Sequence, residues 1–295
     1  MSTLRELKGR VGSVASAGKI SSAMKMISSA KMHKAEQNLK KSMPFRCLLE
    51  SMASRLLTAD CALSFPLLAE RKVRRVGVVA LGSDDGLCGS YNVNIFKSLL
   101  DQLTAYRQTY GDSVEVEIYP VGKKLEHAVR KIAQDRALIK ALEGVHAHSS
   151  NAEIGAFVED LKRSFLGGAI DKVDVVYMHF KSISKQVFTC EQLLPMSKET
   201  WSSGTTERAS DGLCLFEPNA EIIFGRVLPM LVNSTMHKVF VENVASENAA
   251  RMIAMQSASD NANKLLDSLQ LEYNKIRQQR ITTELLEILG GQTIE

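Results

Sequence analysis

The sequence predicts α/β architecture in the middle of the chain and all-α architecture at its ends, with the N- and C-terminal helices paired as a long antiparallel coiled coil around the central domain. Three observations predict it. Residues at 252–280 step by three and four without a break, the register of a coiled-coil seam, and a shorter seam of the same kind opens the chain. From about 73 to 216 short β-rich runs alternate with helical ones, the pattern of a largely parallel sheet under helical cover. The two seams are joined through this compact middle, so they bury each other by lying side by side, antiparallel because the chain returns. The domains are then 1–60 for the N-terminal coiled-coil helix, 70–216 for the α/β domain and 217–295 for the C-terminal helix. Two separate intermolecular coils are the alternative arrangement.

The 295 residues are 45% hydrophobic and 24% charged, an ordinary soluble balance with material for a sizeable core. No stretch approaches the roughly 20 uninterrupted apolar residues of a membrane-spanning helix, and the start lacks the apolar core of a secretory signal. Cys47, Cys61, Cys88, Cys190 and Cys214 are scattered and form no CxxC pair, which argues against a disulfide framework and a zinc site. His146 and His148 are the only close histidine pair and have no Cys or carboxylate at ligand spacing, so no metal site is expected. Net charge is +4, but residues 1–41 set nine Lys/Arg against Glu6 and Glu36, which makes the first helix a basic rod.

The first helix is expected over 3–57. Leu4, Leu7, Val11 and Val14 place an apolar seam on one side; its next positions are Gly18 and Ser21, after which the stripe resumes at Ile20, Ala23, Met24 and Ile27, so the small residues mark a shift or a close approach. Gly9, Gly12 and Gly18 each cost about 1 kcal/mol in a helix interior, so this helix depends on tertiary packing, and Pro44 should kink it. The middle is expected to hold strands at 76–81, 114–119, 173–180 and 186–194 and helices near 93–107, 123–133 and 152–166, in a Rossmann-like order, with a loop or frayed hairpin at 202–212. Helix returns from 218 to 289, interrupted or kinked at Pro229. Its seam reads Met252, Met255, Ser259, Ala262, Leu266, Leu269, Tyr273, Ile276 and Arg280. A straight helix over 230–289 would reach roughly 90 Å. Gly290 and Gly291 should end it as left-handed caps.

The run SENAARMIAMQSASDNANKLLDSLQLEYNKIRQQRITTELLEIL at 246–289 resembles the C-terminal helix of the F-type rotary ATP synthase gamma subunit, bacterial type. Lys19-Ile20 with Ala23-Met24, and Ser83-Asp84-Asp85-Gly86-Leu87-Cys88-Gly89 with Asn92, agree in the same order, so the resemblance spans the chain. It implies a non-catalytic central rotor shaft, without cofactor or metal, that couples ion-driven rotation of a membrane ring to ATP synthesis or hydrolysis in an alpha/beta head. The implied partners are the alpha, beta and epsilon subunits and the c-subunit ring, with no nucleic acid and no membrane insertion. The implied location is the cytoplasmic face of a bacterial inner membrane, since no transit segment or chloroplast-type cysteine pair is present.

The resemblance places Arg251, Arg277, Gln278 and Thr282 against the catch loops of beta, and Met24 beside its acidic lever. A guanidinium offers carboxylates a fixed fork of donors that Lys cannot reproduce. For Met24, ordinary seam packing is the other reading. Glu284 and Glu287 share one helical face within the family signature, and Gly86 and Gly89 belong to it too, with no partner assigned. Two departures stand out: Asp85 replaces the usual cation in the glycine loop, and Gln292, Thr293 and Glu295 make the tail more polar than the family's.

A nucleotide-binding α/β protein with a coiled-coil arm is the rival. Its motif fails on spacing, because GxGxxG counted from Gly82 needs glycine at Asp84 and Leu87, and two aspartates would repel phosphate. The loop then reads as a tight βα turn in which Gly86 and Gly89 serve backbone geometry. Nucleic-acid binding through the basic first helix is a second rival, opposed by its apolar seam and the lack of a base-reading motif.

Overall fold

A computed structural model of the protein describes residues 4–58, 65–131, 137–140, 144–196 and 216–291. It divides into two units, Met1–Ser29 with Arg251–Glu295, and Ala30–Ala250. Helix α1 (Leu4–Thr58) and helix α5 (Ala220–Gly291) each contribute residues to both.

The Ala30–Ala250 unit holds a five-stranded sheet of order β3-β2-β1-β4-β5, with β1 at Arg75–Leu81, β2 at Glu115–Val121, β3 at Ala137–Ile139, β4 at Lys172–Ser182 and β5 at Lys185–Leu194. The first three pairings in that order are parallel, and β4–β5 is antiparallel. Helices α2 (Tyr91–Tyr110), α3 (Lys123–Arg130) and α4 (Asn151–Leu166) connect the parallel strands, and a 3-10 turn spans Pro66–Leu68. This is the doubly wound order expected, with β3 as a strand that the sequence reading did not contain. Ser150 starts α4 with a complete capping box: its hydroxyl accepts from Glu153 N–H while the Glu153 carboxylate accepts from Ser150 N–H.

Strand alternation sends β1 side chains into two cores. Val76, Val78 and Ala80 meet α2 and α3 through Ile95, Leu99 and Leu125. Val79 and Leu81 face the larger core, which α4, the later part of α1 (Leu49, Ala53, Leu56) and the first turns of α5 (Phe224 to Phe240) complete.

Both prolines fall inside unbroken helix, Pro44 in α1 and Pro229 in α5. Of the interruption or kink expected at Pro229, the interruption does not occur, since the helix runs on through it. An interior proline costs about 3 kcal/mol, and here Leu228, Leu231 and Val232, all buried beside it, supply burial of the same order. Gly290 and Gly291 also belong to α5 rather than capping it.

In the other unit, burial follows one period in each helix. On α5 the positions from Met252 to Ile276 expected in the seam are buried or half-buried, Met255 and Leu269 most of all, while Arg280 is exposed. On α1 Leu7, Gly18 and Ser28 are buried, and Leu4, Val11, Val14, Ser21 and Lys25, half-buried, complete with them a series three and four apart; Ala15, Ser22, Met24 and Ser29, beside it, are half-buried too. Of the two readings of the small residues, a shift or a close approach, the shift is corrected at three of its four positions: Ile20 is 64% exposed and Ala23 and Ile27 are also exposed, while Met24 is half-buried. The cause is close approach, since a Cβ on Gly18 would lie 3.3 Å from Ala262 Cβ. Small residues continue the seam, and the large apolar ones fall to its outside. The 202–212 segment, Cys61, Cys214 and the tail at 292–295 lie outside the described residues.

Candidate functional site

The carboxyl end of β1 is where a doubly wound sheet would hold a nucleotide, at the point where strand order reverses between β1 and β4. Here that turn is tied down internally. Ser83 is fully buried; Asn92 Oδ1 accepts from its N–H at 3.2 Å, and Asn92 Nδ2 donates to its Oγ at 2.7 Å. Asp84 accepts from Lys123 N–H at 3.2 Å and from Ala147 N–H at 3.1 Å. A carboxylate of the chain itself thus occupies the first turn of α3, where a bound anion would sit. Positive φ falls on Leu87 (63°) and Gly89 (61°). Gly86 has neither a positive φ nor a crowded Cβ position, so only Gly89 of the two signature glycines has a conformational reason to be glycine.

The crevice beyond this turn is filled by α5. Asn243 Nδ2 donates to Gly82 O at 2.9 Å, Tyr91 Oη donates to Asn243 Oδ1 at 2.7 Å, and Ser246 Oγ donates to Met178 O at 2.6 Å. Glu242, Asn243, Ser246, Glu247 and Asn248 form a run of buried polar side chains on this helix. The sequence reading assigned none of them a role. The available signal was a polar run inside a helix whose neighbours Val239, Phe240 and Ala249 are core residues.

Two charged networks brace the sheet. Asp174 Oδ2 accepts from Tyr106 Oη and lies 2.9 Å from Lys172 Nζ. Burial, then the Asp174 carboxylate and Cys190, push the Tyr106 hydroxyl far up. Burial pulls Lys172 down, yet Asp174 and then Tyr110 together more than offset it and the net shift is upward. In the second, His179 Nδ1 and Glu242 are 2.7 Å apart, Lys238 lies 3.4 Å from Glu191 and 3.7 Å from Glu242, and Tyr177 donates to Glu191. Burial followed by the charges of Glu242 and Glu191 raises Tyr177. Among the described residues no group of three or more His, Cys, Asp or Glu is arranged to hold a metal.

The residues assigned to partner contact are not alike. Arg277 and Gln278 are adjacent and exposed on α5; Thr282, also exposed, donates its hydroxyl back to Gln278 O at 2.9 Å. Arg280 pairs with Glu284 at 2.9 Å, and Glu287 is exposed. Arg251 is only 5% exposed, not on an open margin of the helix, and Met24 is half-buried on α1.

A profile of the family described as ATP synthase matches residues 3–293. The chain is similar to the ATP synthase gamma chain of Phocaeicola vulgatus, 39% identical over 295 residues that cover 99% of each chain. It is 38% identical to that of Parabacteroides distasonis, over 100% of this chain and 99% of that one, and 34% identical to that of Stenotrophomonas maltophilia, over 99% of each. Its fold is similar to a chain in the Euglena gracilis mitochondrial ATP synthase (OSCP, F1 and c-ring), with TM-score 0.61, 22% identity and coverage of 98% of this chain and 93% of that one. A chain in the central stalk and c-ring of the Tetrahymena thermophila mitochondrial ATP synthase gives TM-score 0.56 and 23% identity, covering 81% and 99%.

Proposed function

This chain belongs to the ATP synthase gamma chain family, and on that premise we propose that it is the central rotor shaft of an F-type ATP synthase. It couples rotation of an ion-driven c-subunit ring to ATP synthesis or hydrolysis in an alpha/beta head and carries no catalytic residues itself. The observation that carries this is the match along almost the whole chain to gamma chains at 34–39% identity. The rival, a nucleotide-binding domain, is disfavoured because Asp84, Asn243 and Ser246 fill the positions a nucleotide would need.

The terminal helices pair as an antiparallel coiled coil, a reading supported by the three-four burial period on both and by Gly18 against Ala262. The domains are 1–60, 70–216 and 217–295. An asymmetric shaft in a pseudo-threefold ring makes chemically identical sites differ, and turning it permutes their affinities through differential contact. Arg277, Gln278 and Thr282 meet the catch loops of beta, helped by Arg251 from a more buried position, and Met24 lies beside the acidic lever. The epsilon subunit and the c ring bind elsewhere on the chain, at the cytoplasmic face of a bacterial inner membrane. No helix among the described residues is long and apolar enough to cross a membrane.

Reconstitution tests the proposal. The purified chain alone should hydrolyse no ATP and should restore rotation-coupled turnover to alpha and beta subunits. ATPase activity in the isolated chain, free of contaminants, would sink it.

A further inference from the structure

We propose that Asn243 and Ser246 are torque keys: positioning residues that hold α5 in fixed rotational register with the sheet, so that twist passes between the α/β domain and the helix. The proposal rests on the rotor reading above and names the contact through which the domain grips the shaft.

A helix held only by apolar packing is held by a non-directional force. Rolling about its own axis exchanges one set of apolar contacts for another. Hydrogen bonds fix an angle as well as a distance and weaken steeply when bent. Asn243 and Ser246 are three residues apart and therefore neighbours on one face of α5. They bond to main-chain carbonyls on two different segments, Gly82 at the end of β1 and Met178 in β4. Register places these acceptors at the same level of the sheet, because Ala80 pairs with Val176. Two anchors on adjacent parallel segments resist roll in both senses, which one could not do.

The acceptors belong to the backbone, so they cannot swing with a side chain. Tyr91, at the first position of α2, donates to Asn243 Oδ1 and fixes which way the amide faces. Glu242, one residue before, adds a third tie through His179, the residue after Met178. Asn243 and Ser246 are both fully buried, so water does not compete for these bonds. The grip lies at the strand-order reversal where doubly wound folds usually hold a ligand.

The test is the torsional stiffness of the assembled complex of this chain with alpha and beta subunits. A bead is attached through Asp101→Cys on the exposed side of α2, and its angular variance is recorded in the nucleotide-stalled state. Ser246→Ala and Tyr91→Phe, each deleting one hydroxyl, should together raise the variance about twofold, because close-packed interiors transmit strain that a loosened contact absorbs. Ser246→Thr should restore much of the stiffness by returning the hydroxyl. Val129→Ala, which removes buried volume from α3 without touching α5, should lower the melting temperature and leave the variance at its wild-type value. Unchanged variance in the double variant, or an equal rise with Val129→Ala, would overturn the keys while leaving the rotor reading intact. Absence of rotation with the unaltered chain would overturn both.

Discussion

Tyr106 and Asp174 are joined by a hydrogen bond of 2.5 Å from the phenol to Oδ2, in a buried site where Lys172 approaches the same oxygen and Oδ1 has no hydrogen-bond partner among the described residues. The carboxylate leans on two donors at one oxygen. Tyr106→Phe removes one of them and should destabilise the α/β domain by about 1–3 kcal/mol. Thermal melting checks it; an unchanged melting temperature would mean that water replaces the phenol.

Two neighbouring loop glycines should behave in opposite ways. A Cβ on Gly82 would come within 2.6 Å of Leu125 Cβ, whereas one on Gly86 would find nothing closer than Lys124 Cε at 3.9 Å. Gly82→Ala is expected to cost about 1–3 kcal/mol through overpacking, and Gly86→Ala to stay within about 0.5 kcal/mol. Denaturant titration of the two variants separates them.

Gly18 and Ala262 should be coupled. Gly18→Leu forces a branched side chain into a 3.3 Å gap and should cost about 1–3 kcal/mol. Ala262→Gly in the same chain should recover part of that loss. A double-mutant cycle with purely additive effects would show that the two positions do not share the space.

On the exposed side of α5, Arg277→Ala is expected to lower turnover of the assembled complex by about tenfold, the equivalent of one charge-assisted hydrogen bond. Its melting temperature should not move, because the side chain is exposed. Arg277→Lys should rescue only in part. Arg280→Ala should change turnover little, since Arg280 already pairs with Glu284 and both are more than half exposed. Equal losses at the two arginines would show that net charge, not position, is what matters.

His237 gives the chain an acid-sensitive point. Burial lowers its pKa from 6.5, so the folded state keeps it neutral when the unfolded chain would protonate. The stability this protects is complete above pH 6.5 and is lost progressively as pH falls from 6.5 towards the lowered folded value. His237→Gln should flatten the dependence of melting temperature on pH in that window. An unchanged slope would assign the acid sensitivity to other groups.

The four longer strands and the helices between them were legible because their patterns are strong: β1 and β4 are short runs of β-branched and other apolar residues, apolar on both faces, set between helical stretches. The three-residue β3 was not, since so short a run carries no period. On α1 the sequence left a shift and a close approach both open at Gly18 and Ser21. Gly18, Ser21 and Ser28 look like gaps in an apolar stripe, yet small residues are what a close helix approach requires. Ile20 and Ile27, which look like seam, lie outside it. Asn243 and Ser246 were invisible for the complementary reason: a polar side chain on a helix reads as a solvated surface until its acceptor, a carbonyl more than sixty residues away in sequence, is known.

The positions of the two prolines within the long helices bear on fatigue under repeated load. Pro44 and Pro229 each remove one rung of the hydrogen-bond ladder, and both lie in the Ala30–Ala250 unit; Pro229 sits beside the buried Val227, Leu228, Leu231 and Val232, whereas Pro44 is exposed. From 4 to 43 and from 230 to 291 there is no proline at all. Both missing rungs fall in the unit that holds the sheet; along the proline-free stretches, which must recover their shape after each cycle, every rung can be made.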